Sequence, residues 1–265
     1  MTWLTAQPVW LLVTVSLALA LVVATGSRLA VAAIVPPAEA DHVHALAAPL
    51  MPALGATFAV LTALTLSSEA GYLRAAQDIV SREAAEASRL AWASTSPQVG
   101  AEPIQDALAD YLRATRAGEW HGTDETGRAD PTTTEAIARL ERVVRADAAR
   151  AELGTPASTE LLASLDAVTT GRRARLAAAD RRLPGLYAVT LVVSGVALIA
   201  NAGALAFRSS LRASLLVAGL AGVVGLSLAL LFAVAAPWDG GLVATGEPID
   251  AVLRDLDSGF FASRP

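Results

Sequence analysis

The sequence predicts an all-α membrane protein, with four transmembrane helices and a helical extramembrane domain between spans two and three, built on long extensions of those two spans. Three observations carry this. The 265-residue chain is 54% hydrophobic, with a mean hydropathy of +0.49, which is too apolar for an ordinary soluble domain. Its apolar residues gather in four runs, each long enough to cross a hydrocarbon core of ~30 Å. Between the second and third runs lie about 115 residues with helical periodicity and no useful stretch of alternating β pattern.

The resulting division is residues 1–45 for the first transmembrane helix and its loop, 46–68 for the second, 69–183 for the helical extramembrane domain, 184–236 for the third and fourth, and 237–265 for an acidic amphipathic tail. The first run, residues 8–25, has a signal-like apolar core, but its leading MTWLTAQ carries no basic residue. A retained helix is therefore expected. Trp3 and Trp10 stand where an interfacial belt would put them, and Arg28 marks the other end. A polar loop with Glu39, Asp41, His42 and His44 is expected to lead into span two, which places Pro49 and Pro52 in its first turns, where no N–H is needed.

Span two keeps its helical period beyond Ser68, with no Gly-Pro break, and becomes amphipathic. Leu73, Ala76, Val80, Ala84, Ala87 and Ala91 form one apolar stripe. Pro103 starts a helix that ends near Gly118. Thr132 to Thr134 cap another that runs to Leu153, and Thr155-Pro156 opens a third that leads towards Pro184. Spans three and four, residues 184–207 and 211–236, are joined by a link short enough to force an antiparallel pair. The tail is expected to form a short amphipathic helix over 247–256.

Composition excludes much chemistry. There is no cysteine, all twenty basic residues are arginine, and the only histidines are His42, His44 and His121. Disulfides, thiolate chemistry, Schiff-base lysines and a P-loop are therefore ruled out. The net charge of −5 offers no nucleic-acid footprint. His42 and His44 with Glu39 and Asp41 are too weak a pattern for a metal site, and Glu119, His121, Asp124 and Glu125 read as a solvated loop. No catalytic residue, metal or cofactor is expected, and an enzyme is not. The partners expected are the bilayer and either further copies of the chain or another membrane complex.

Two constellations stand out. Span two carries small residues at Gly55, Ala59, Ala63 and Ser67, a spacing that lets another helix approach closely. A second face carries Thr62, Thr65 and Glu69, the pore-lining candidates. Their hydroxyls either line an aqueous path or bond back to their own helix. Further along, Glu83 lies fifteen residues past Ser68 and Arg172 twelve before Pro184, ~22 Å and ~18 Å from the membrane edges at ~1.5 Å per residue. The expected charge pairs are Glu83 with Arg172, Asp78 with Arg175, and Glu69 near Arg181 and Arg182; the alternative is independent surface charges. Asn201, the one amide within a span, either bonds a neighbouring helix or narrows a pore.

Several short motifs in order resemble the bestrophin-like domain family. They are Arg28, the Pro36-Pro37…His44 loop, Glu69-Ala-Gly-Tyr72, Glu83-Ala84, Leu165-Asp166, the Arg172–Leu176 stretch, Leu183-Pro184 and Pro237-Trp-Asp-Gly240. The resemblance implies a relation to bestrophins, pentameric anion channels with four spans per subunit and cytosolic helices, in which span two lines the pore. It would put Thr62, Thr65 and Glu69 near a conduction path. The alternative is a non-conducting accessory or scaffold subunit whose helical domain and acidic tail dock onto a larger complex. The arginines from Arg172 to Arg182 favour a cytoplasmic helical domain, whereas Arg28, Arg208 and Arg212 favour the reverse.

Overall fold

The computed structural model describes residues 8–120, 129–150, 152–179, 184–208, 210–235, 238 and 242–262. Among these there are eight α-helices and no strand: α1 Val9–Ile34, α2 Ala40–Ser94, α3 Ala101–Gly118, α4 Pro131–Ala148, α5 Thr155–Ala179, α6 Gly185–Leu205, α7 Leu211–Val234 and α8 Glu247–Asp257. Four of them, α1, α2, α6 and α7, are long and apolar enough to cross a membrane. The chain divides into two compact units. One is built from α1, α6, α7 and α2 up to Tyr72, the other from α2 beyond Leu73 with α3, α4, α5 and α8.

Helix α2 starts earlier than expected. Asp41, His42 and His44 belong to its first turns rather than to a loop, and Glu39 closes a 3-10 turn by donating its N–H to Pro36 O at 3.0 Å. Asp41 in the first turn suits the positive end of the helix dipole. Pro49 and Pro52 consequently fall inside the helix, where each removes a backbone donor. Beside them the Asn201 amide donates to Ala47 O at 3.0 Å. That bond gives the amide its role as a link from α6 to α2.

In the first unit Ala20, Ala24, Phe58, Leu191, Leu198, Ile199, Ala221, Val224 and Leu231 form the core. Helix α7 carries a small residue at every fourth position from Ala221 through Gly225 and Ala229 to Ala233, and these three alanines are buried. A Cβ on Gly225 would come within 2.9 Å of the Ser16 carbonyl oxygen, so only glycine lets α7 lie this close to the α1 backbone.

In the second unit the stripe from Ala76 to Ala91 is buried as its period requires, joined by Leu90. It packs with Ile104, Leu108, Tyr111 and Leu112 of α3, Leu140 and Val144 of α4, and Leu161, Leu165 and Val168 of α5. Helix α4 begins at Pro131, one turn ahead of expectation, because Asp130 is the N-cap and accepts from Thr133 N at 2.8 Å. Helix α8 seats Ile249 and Val252 in the same core, with Phe261 after it. Arg116 Nε and Nη2 hold Asp250 at 2.7 and 3.1 Å, and Arg113 Nη2 reaches Asp257 at 2.6 Å. The amphipathic tail thus spends its apolar face within the chain.

Candidate functional site

Two arrangements concentrate the chain's polar and close-packing residues, one in each unit. In the first unit α2 has two unlike faces. Phe58 packs against Gly195 and is buried, and on the same side Glu69 is only 6% exposed. Thr65 Oγ1 donates to Leu61 O at 2.8 Å, and Thr62 Oγ1 is shielded from solvent without a hydrogen-bond partner. The pore-lining candidates Thr62, Thr65 and Glu69 therefore lie on the face covered by the chain's own helices. Phe58 and the leucines around it need burial, and they turn this arc of α2 inward.

The other face carries Ala59, Ala63 and Ser67, all exposed, and Gly55, half-buried, lies between the two. A Cβ on Gly55 or on Gly71 would meet no atom within 4 Å. The membrane-length window of α2 is 6% buried, against 39% for α6. The same four-residue repeat of small residues is thus closed by α1 on α7 and left open on α2.

In the second unit two carboxylates and the Arg175 guanidinium are buried together, with Arg172 half-buried beside them. The Glu83 side chain is 0% exposed and those of Arg175 and Glu119 1% each. Arg175 Nε donates to Glu83 Oε2 at 2.7 Å, and its Nη2 to Glu119 Oε2 at 3.0 Å. Arg172 Nη2 donates to Glu119 Oε1 at 2.5 Å and to Thr134 Oγ1 at 3.0 Å. Tyr111 Oη donates to Glu83 Oε1 at 2.5 Å, and Asp130 N donates to Glu119 Oε1 at 3.2 Å.

The expected pairs Glu83–Arg172 and Asp78–Arg175 are thus replaced by Glu83–Arg175 and Glu119–Arg172, and Asp78 is exposed. Counting height from assumed membrane edges leaves the register open by one turn, and 172 to 175 is about one turn. Gly171 decides it. A Cβ there would sit 3.2 Å from Glu83 Cβ and 3.3 Å from Glu83 Cα, so the missing side chain lets α5 approach α2 and turns Arg175 inward. Glu119, read as part of a solvated loop, is in the interior. Its neighbour Trp120 is buried and two arginines on α5 await an acceptor. Trp120 was the available signal, as was Tyr111 in the apolar file Ile104, Leu108, Tyr111. His121, Asp124, Glu125, Arg181, Arg182, Trp3 and the Pro237, Asp239 and Gly240 positions lie outside the described residues.

Burial and the Glu83 carboxylate push the Tyr111 phenol above its ordinary range. Burial opposes the Arg175 charge, yet the Glu83 and Glu119 carboxylates raise its pKa overall. Each charged member has an opposite charge within hydrogen-bond reach. The cluster is neutral in sum, and it ties α2, α3 and α5 together rather than offering a free acid or base.

A family model described as the Bestrophin-like domain matches residues 18–249. No curated protein and no solved structure matches the chain.

Proposed function

Because the chain belongs to the Bestrophin-like domain family, we propose that it is an oligomeric cell-membrane protein that conducts small ions, anions foremost, along an axis shared by several copies. In this reading α2 of each copy faces the axis, and the second unit, between spans two and three, stands in water. It is a conduit, not an enzyme. The observation that carries the proposal is the open face of α2. Its small-residue repeat resembles that of α7, which closes within the chain, yet Gly55, Ala59, Ala63 and Ser67 find no such partner. Without bulky side chains such a face leaves room for an ion path at an axis shared with other copies. As α2 is oriented, Ala59, Ala63 and Ser67 are the residues presented to an axis, and the Thr62, Thr65 and Glu69 face is not.

The test is the mass of the detergent-purified protein followed by halide efflux from liposomes. A closed ring of copies with anion-selective efflux is expected. A monomer, or a stoichiometric complex with another protein, overturns the reading. The inward position of Thr62, Thr65 and Glu69 favours a second reading, a non-conducting accessory subunit, because the hydroxyls and carboxylate suited to an ion path serve the chain's own bundle. Under that reading liposomes carrying the protein leak no faster than empty ones.

A further inference from the structure

One end of the first unit gathers three arginines. Arg28 of α1 donates through Nη1 to Ser214 Oγ in the first turn of α7. Arg212 stands in that same turn and Arg208 just before it, both exposed. The Arg208 guanidinium lies 5.7 Å from the Phe207 ring centroid, and among the described residues neither Arg208 nor Arg212 makes an ion pair. The carboxylates of this end are Glu39 and Asp41, against three arginines.

The surroundings of these arginines are apolar and bare. Leu29, next to Arg28, is 69% exposed, and Leu211 and Leu215, on either side of Arg212, are 79% and 65% exposed. Charge beside open aliphatic surface is the pattern that a lipid complements at both its ends. Phosphate accepts from guanidinium, and acyl chains cover leucine. A zwitterionic headgroup brings its own cation, which leaves the two arginine charges uncompensated. An inorganic anion would engage the guanidiniums alone.

We propose that this end of the four-helix unit holds an anionic phospholipid, with Arg208 and Arg212 on its phosphate and Leu29, Leu211 and Leu215 along its chains. Arg28 positions α7 through Ser214. The proposal rests on α1, α2, α6 and α7 crossing a bilayer and not on conduction, so it stands or falls apart from the function proposed above.

The experiment reconstitutes the full chain into nanodiscs of phosphatidylcholine containing a minor fraction of phosphatidylglycerol. Lipid extraction then measures how far phosphatidylglycerol is enriched on the protein over the bulk. Enrichment is expected. Arg208→Gln/Arg212→Gln should weaken the association about thirtyfold, on the scale of two juxtamembrane arginines. Arg208→Lys/Arg212→Lys should retain most of it, which guards against a variant that merely misfolds. Arg254→Gln, an exposed arginine of α8, should change nothing. Equal enrichment in the Gln/Gln variant, or equal loss in Arg254→Gln, overturns the proposal. So does inorganic phosphate, added to pure phosphatidylcholine discs, if it raises the thermal midpoint as much as phosphatidylglycerol does.

Discussion

Replacing Arg175 by Met removes a guanidinium that is 1% exposed and leaves Glu83, 0% exposed, with only the Tyr111 hydroxyl to stabilise its charge. Glu119 fares better, since it keeps Arg172 and the Asp130 N–H. Stranding one buried carboxylate costs ~3–5 kcal/mol, and at ~2–4 °C per kcal/mol for a chain of this size the midpoint should fall by ~6–20 °C. Arg172→Met strands nothing, because Glu119 still holds Arg175. Its cost should be that of a charge-assisted hydrogen bond, ~1.5–3 kcal/mol. Thermal unfolding in detergent measures both, and double-mutant cycles with Glu83→Gln separate the partners. The Glu83/Arg175 cycle should couple by ~1–3 kcal/mol and the Glu83/Arg172 cycle by less than ~0.5. Stronger coupling in the second cycle would refute the register and restore the pairing expected from height alone.

Other consequences are equally direct. Gly225→Ala should lower the midpoint by the equivalent of ~1–3 kcal/mol, because its Cβ meets the Ser16 carbonyl oxygen. Gly222→Ala, in the same helix with open space at its Cβ, should be neutral or stabilising. Tyr111 gives an alkaline signature. Its folded pKa is raised, so its contribution is intact below the ordinary tyrosine pKa of ~10 and is lost as pH rises beyond it. Melting at mildly and strongly alkaline pH should show a loss that Tyr111→Phe diminishes. Asp130 works in the opposite direction. The Thr133 N–H holds its pKa below the usual carboxylate range, so its support for α4 is present near neutrality and lost as pH falls through the folded value. An acid melt of Asp130→Asn should show a smaller loss than wild type.

Helix positions were legible because apolar runs and the 3.6-residue period are local properties. The four apolar runs appear as α1, α2, α6 and α7, and the stripe from Ala76 to Ala91 is buried where its spacing puts it. Partner choice was not legible. Whether Glu83 meets Arg172 or Arg175 depends on a missing side chain at Gly171, on another helix, and no charge pattern along α2 encodes that. The faces of the membrane half of α2 show the same limit. Small residues and hydroxyls were both visible in the sequence, but which arc turns inward depends on where Phe58 finds Gly195 and Val224. The tail's amphipathicity was plain from its spacing. Its destination, beside Arg113 and Arg116, required the fold.

The central claim, that the open face of α2 meets a shared ion path, is tested most directly by thiol modification, since the chain has no cysteine of its own. Single cysteines at Ala59, Ala63 and Ser67 should make halide efflux from liposomes sensitive to a charged, membrane-impermeant methanethiosulfonate, and cysteines at Thr62 and Thr65 should not. Efflux that is indifferent to the reagent at all three outward positions, or blocked only from Thr62 and Thr65, would contradict the account.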